Sequence, residues 1–196
     1  MGSEPTRRLF FALWPEAAES AALVHAVRKA VRLSGGRPVP EANLHLTLAF
    51  LGAVPGGRVP QLCTIAGHVA AAFPRAAVPL VLTLRGLAHW EQSQVLAVLV
   101  HEAARGASPG SARALAGALS SEAAAAGFDP DLKPFRAHVT VARKVAHAPR
   151  ASAPRPVAWS FTQFALVESR TLAEGPVYSV VESFVLASSE KLRTDE

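Results

Sequence analysis

Two short stretches of the chain share one alternation of polar and apolar positions. In Asn43–Gly52, NLHLTLAFLG, and again in His138–Arg143, HVTVAR, a His and a Thr flank one aliphatic residue. Successive side chains of a β-strand point to opposite faces. His45 and Thr47 therefore share one face, with Leu44, Leu46 and Leu48 on the other; His138 and Thr140 likewise oppose Val139 and Val141. Each strand offers an imidazole and a hydroxyl ~7 Å apart, two rises of about 3.3 Å each. Laid side by side, two such strands converge two imidazoles and two hydroxyls on one cleft.

The same patterning predicts the remaining elements. Arg7 to Leu13 reads as a strand ended by Trp14-Pro15. Pro15 in a first helical turn, with Glu16 and Glu19, opens a helix to Leu33 that Ser34-Gly35-Gly36 stops. Pro38 to Pro40 is an extended approach to the first H-x-T strand, and Gly52 to Gly57 turns away from it. A second helix spans Arg58 to Phe73. Val78 to Gly86 and Gln94 to His101 form a hairpin through Leu87 to Ser93. An alanine-rich helix from Ser108 to Ala126 ends at Gly127 and leads through the linker Phe128 to Phe135 into the second H-x-T strand. A Pro/Ala loop from Val145 to Pro156 follows. Trp159 to Glu168 and Val177 to Leu186 close the chain as two strands joined around Glu174-Gly175-Pro176.

The order β-α-β-α-ββ-α-β-ββ specifies an α+β fold with mixed or antiparallel sheets rather than regular β-α-β winding. The repeated H-x-T suggests two pseudo-symmetric lobes around a central cleft. At 196 residues, half of them apolar, the chain suits a single domain with a sizeable core, 1–196. No apolar run approaches the ~18–20 residues of a transmembrane helix, and the N-terminal MGSEPTRRLFF lacks a signal-peptide pattern, so a cytoplasmic protein is expected. The one cysteine, Cys63, allows no internal disulfide and reads as helix packing. A net charge of +5 and a pI near 10.1 favour a polyanionic partner such as RNA. That signal is weak, because only four of the 20 basic residues are lysine, as a GC-rich coding bias also produces, and no basic arm is present.

The paired strands suit attack on a phosphodiester. An imidazole pKa of about 6.5 lets one histidine accept a proton while the other donates one. Threonine hydroxyls can hold non-bridging oxygens without adding charge. Zinc-type chemistry on His45 and His138 is disfavoured, because neither motif has a nearby carboxylate or cysteine to complete a ligand set. A non-catalytic RNA-binding module is the other alternative. At the fifth position after each histidine stand Phe50 and Arg143. Five is odd, so each needs a bulge or strand end to reach the histidine's face. Arg143 would then clamp a phosphate, or else be a surface or an inter-lobe arginine; Phe50 would stack on a base, or else fill the core. His25, His68 and His101 read as structural or exposed, His147 as solvated, and His89 beside Trp90 as a candidate for an RNA groove.

RLFFALWP, PEANLHLTLAFLG, FRAHVTVARK and SRTLAEGPVYSVVESFVL together resemble the bacterial RNA 2′,3′-cyclic phosphodiesterases, formerly 2′–5′ RNA ligases, of the 2H phosphoesterase superfamily. The likeness covers nearly the whole chain, with Ala137 where the family usually has proline. It implies a bilobal fold and cofactor-free, metal-independent opening of a terminal RNA 2′,3′-cyclic phosphate to a 2′-phosphomonoester. The reverse reaction, 2′–5′ ligation, is the alternative within that class. By the same resemblance His45 and His138 are the acid/base pair, Thr47, Thr140 and Arg143 hold phosphate, and Tyr178 (with Ser169 more weakly) walls the site. RNA ending in a cyclic phosphate is the expected partner of a monomeric protein needing no obligate protein partner.

Overall fold

The computed structural model describes residues 5–74, 77–101, 110–131, 133–150, 153–172 and 175–186. Among them are three α-helices: α1 (Ala17–Leu33), α2 (Val59–Ala72) and α3 (Ala112–Ala125). Nine strands form one antiparallel sheet: β1 (Thr6–Leu13), β2 (Arg37–Pro38), β3 (Leu46–Pro55), β4 (Leu80–Trp90), β5 (Val95–His101), β6 (His138–Arg143), β7 (Val157–Phe161), β8 (Gln163–Leu172) and β9 (Gly175–Val185). Their spatial order is β7-β4-β5-β6-β3-β1-β8-β9, with β2 added on β6. The two H-x-T strands, β6 and β3, sit at the centre with three strands outward on each side. The fold is α+β, and the sheet divides into the two expected halves.

The sheet curls because β7 and β8, at positions far apart in the order, are separated in sequence by Thr162 alone. Trp159 to Glu168, expected as one strand, is thus two. Its first part pairs with β4 and its second with β1, so the chain switches sheet halves at an exposed threonine. The expected turn at Gly52 is instead a bend within β3. Gly52 has φ +69° and faces Leu9 where the β1/β3 register slips, a left-handed conformation that glycine adopts without a Cβ penalty. The hairpin is likewise tighter than expected: Gly86 lies within β4, which runs on to Trp90. The expected helix over Ser108–Ala126 begins at Ala112, where the Ser111 hydroxyl accepts from the Ala114 N–H at 3.1 Å; Ser108 lies outside the described residues, as does Glu174 of the last turn.

Alternation along β1 sorts the core. Leu9, Phe11 and Leu13 join the main core beneath the helices, while Phe10 and Ala12 face the other way into a small cluster with Ala165 and Val167. Each buried large side chain of this kind contributes roughly 1.5–3 kcal/mol. Helix α1 presents Leu23, Val27 and Ala30 to the core at helical spacing. Glu19 fastens its start: one carboxylate oxygen accepts from the Glu16 N–H at 3.0 Å and the other from the Ser160 N–H. The buried Trp159 indole N–H donates to the Glu19 carbonyl at 3.0 Å. At the far end of α3, Arg58 donates to the carbonyls of Ala126 and Gly127, as cations do at helix C-termini. No described helix is long and apolar enough to cross a membrane.

Candidate active site

The H-x-T strands touch at one pair, Leu46 opposite Val139, and then diverge. Continuing that antiparallel register one residue each way puts His45 across from Thr140 and Thr47 across from His138. Leu46 and Val139 point into the core, so all four polar side chains lie on the opposite face. They line a cleft of about 590 Å³ in the wedge between the strands.

Each histidine is held the same way. The Nδ1–H of His45 donates to the Asn43 carbonyl at 2.7 Å, and that of His138 to the Arg136 carbonyl at 2.6 Å. A carbonyl can only accept, so Nδ1 carries the proton in both rings and each Nε2 is left for the cleft. The backbone two residues back thus fixes both tautomers.

The bulge that position five requires is present in both strands. In the β1/β3 register, Ala12 pairs with Thr47 but Phe11 with Ala49, leaving Leu48 as the extra residue. In β5/β6, Ala97 pairs with Thr140 but Leu96 with Ala142, leaving Val141 extra. The consecutive buried residues Leu48-Ala49 and Val141-Ala142 mark the two places where alternation breaks. Phe50 and Arg143 are thereby returned to the histidine face. Arg143 lines the main cleft and also a second hollow of about 330 Å³, shared with His45, Thr47 and Tyr178 and walled by Arg8, Phe50, Ser169 and Thr171. Phe50 stacks on Phe10 at 6.3 Å, with the Arg8 guanidinium 4.8 Å from its ring centre.

The environments of the two imidazoles differ. His45 is stacked on Trp14 (ring centres 5.0 Å, planes 7° apart), with Phe10 and Tyr178 each 5.1 Å away. This aromatic box desolvates it and, with the positive Arg143 and His138 nearby, outweighs the Asn43 hydrogen bond and pulls its pKa down to about 4. His138 meets Trp90 edge-on at 4.5 Å. Its pKa is also lowered, by burial first, then by Arg136 and Arg143.

The structure brings together His45, Thr47, His138, Thr140, Arg143 and Tyr178 in one cleft, and Phe50 in the adjoining hollow. Sequence reasoning missed Trp14, whose place behind His45 hides in a strand-ending Trp-Pro, and the cleft cations Arg37 and Lys144. His89 does not line the groove: its Nε2–H donates to the Val145 carbonyl at 3.0 Å, and its neighbour Trp90 faces the cleft instead. His25, His68 and His147 are exposed, and Cys63 packs beside the core with its thiol pushed up to about 11 by burial. Among the described residues no three His, Cys, Asp or Glu side chains gather as a metal-ligand set.

This arrangement of sheet and strands is that of a phosphoesterase. Residues 13–96, which include the first H-x-T, match the LigT-like phosphoesterase family. An RNA 2′,3′-cyclic phosphodiesterase of Thermus thermophilus is 37% identical over 188 residues, covering 91% of this chain and 90% of that protein. Another, from Escherichia coli, is 33% identical over 169 residues, covering 85% and 89%. The crystal structure of E. coli LigT complexed with 3′-AMP superposes with a TM-score of 0.77 at 29% identity, covering 93% of this chain and 99% of that one. The chain belongs to the LigT-like phosphoesterase family, with the bacterial RNA 2′,3′-cyclic phosphodiesterases as its relatives.

Proposed function

We propose that this chain, acting as one domain whose two lobes share the cleft, hydrolyses the terminal 2′,3′-cyclic phosphate of RNA to a 2′-phosphomonoester. The observation that carries the reading is the convergence of two tautomer-fixed histidines, each facing a threonine, on one cationic cleft. The activity named for the relatives supports it.

In the proposed reaction Thr47, Thr140 and Arg143 hold the non-bridging phosphate oxygens. His138 Nε2 takes a proton from water as its oxygen bonds to phosphorus. The bond from phosphorus to the 3′ oxygen breaks, and protonated His45 gives its Nε2 proton to that oxygen. A 2′-phosphate and a free 3′-hydroxyl result. A pKa of about 4 leaves His45 largely neutral in the empty cleft at pH 7. The substrate's negative charge, set between His45 and Arg143, offsets the repulsion and raises it, while burial keeps the imidazolium a strong proton donor. Phe50, in the adjoining hollow, stacks on the terminal base. Joining a 5′-hydroxyl end to the cyclic phosphate uses the same groups in reverse.

The test is incubation of the purified protein, after exhaustive EDTA treatment, with an RNA ending in 2′,3′-cyclic phosphate. The expected product is the 2′-monoester, formed at the untreated rate. A 3′-monoester would show that the 2′ oxygen leaves. Loss of activity that zinc or manganese restores would show that a metal takes part.

A further inference from the structure

The main cleft holds more positive charge than one cyclic phosphate can neutralise. Arg37, Arg143 and Lys144 all line it, and among the described residues no Asp or Glu does. A cyclic phosphodiester carries a single negative charge. Arg37 on β2 pairs directly with Arg143 on β6, so the two side chains leave the sheet on the same face. Like charges directly opposite are destabilising by themselves. Nothing among the described residues relieves them: neither arginine, nor Lys144, makes a side-chain hydrogen bond or ion pair there.

Two backbone features hold this arrangement. Gly36 precedes β2 where a Cβ would press on the Val145 side chain and lie 2.9 Å from the Arg143 carbonyl oxygen, so only a glycine brings Arg37 so close to β6. Lys144 has φ +56°, uncommon for a residue with a side chain. Strand alternation would send Lys144 away from the face of Arg143, yet both line the cleft. Trp90 and Ser93 stand on the same side, with the Arg136 guanidinium 5.5 Å from the Trp90 ring centre.

We infer that Arg37 and Lys144, with Trp90 beside them, form a second phosphate subsite for the internucleotide phosphate next to the terminal cyclic nucleotide of a single-stranded RNA. This rests on the proposed reaction. The terminal base enters the hollow of Phe50, and the preceding nucleotide runs along the β2/β6 edge with its base against Trp90, since aromatic faces accept any base. The enzyme therefore selects a strand end over a free cyclic mononucleotide.

Three substrates test it: a nucleoside 2′,3′-cyclic phosphate, and dinucleotides ending in that group with either a phosphate or an uncharged methylphosphonate linkage. The wild type should favour the charged linkage over the neutral one in kcat/KM by about tenfold or more, the scale of a charge-assisted contact. Its kcat/KM should fall with log salt more steeply for the charged dinucleotide, by about 0.7 per added phosphate contact. In the double variant R37A/K144A that preference should collapse to within about twofold, whereas R37K/K144R should keep most of it, charge rather than shape being what the subsite supplies. No preference in the wild type, or an undiminished preference in R37A/K144A, would overturn the subsite while leaving the hydrolysis reading intact. A wild type that opens none of the three substrates would sink the hydrolysis reading, and the subsite with it.

Discussion

The two halves of the cleft use the same backbone device for different ends. In each, a strand carries His-x-Thr, a carbonyl two residues before the histidine fixes its tautomer, and a bulge just past the threonine turns the fifth residue into the site. In the β3 half that residue is Phe50, and the histidine sits in a box of Trp14, Phe10 and Tyr178. In the β6 half it is Arg143, and the histidine meets one tryptophan edge. Repetition of the scaffold supplies two imidazoles with matched geometry. Divergence of what surrounds them separates an aromatic side, where Trp14, Phe10 and Tyr178 surround His45, from a side where Arg37, Arg143 and Lys144 line the cleft.

The largest effect should come from the shared device. His45→Ala and His138→Ala should each lower kcat/KM by about 10²–10⁴-fold, the usual range for a lost general acid or base. In the proposed mechanism the two act as a unit, so the double variant should cost far less than the product of the single losses. Multiplying losses, measured by steady-state kinetics on one RNA substrate, would mean that the two histidines work independently.

A smaller effect separates the fifth positions. Arg143→Ala should cost roughly 10²-fold on any cyclic phosphate, with or without a base, as expected for a lost transition-state donor. Phe50→Ala should mainly raise KM on nucleotide substrates and spare a cyclic phosphate lacking a base. Equal losses on both substrates would assign Phe50 to the packing around Phe10 alone.

The smallest effect reads the difference in burial as stability. Folded His45, with its pKa near 4, refuses a proton that the unfolded chain takes up below about 6.5. This stability is fully present above pH 6.5 and is lost as pH falls through about 4, with a ceiling of roughly 3 kcal/mol at ~1.4 kcal/mol per pKa unit. The fall in Tm between pH 7 and pH 4.5 should therefore be smaller in His45→Gln than in the wild type. An identical fall would show that His45 titrates normally.

Much of this was legible in the sequence. The H-x-T repeat marked the two strands, and the odd spacing to Phe50 and Arg143 showed that a bulge or a strand end was needed to bring either into the cleft. The structure supplies both bulges. Tertiary neighbours were not legible. Arg37 joins Arg143 only because β2 pairs with β6, and Trp14 reaches His45 only because β1 lies against β3. The break at Thr162 was hidden because β7 and β8 read as one continuous β-pattern; which half of the sheet each joins is settled by packing, not by local propensity.

The division of labour between the histidines is tested most directly by changing the leaving atom. A cyclic substrate with sulfur in place of the 3′ oxygen has a leaving group that departs without protonation. With His45 as the acid, His45→Ala should lose about 10²–10⁴-fold on the oxygen substrate and recover most of that on the sulfur one. His138→Ala should remain impaired on both. Rescue of His138→Ala instead would reverse the two roles, and rescue of neither would contradict the acid/base pair itself.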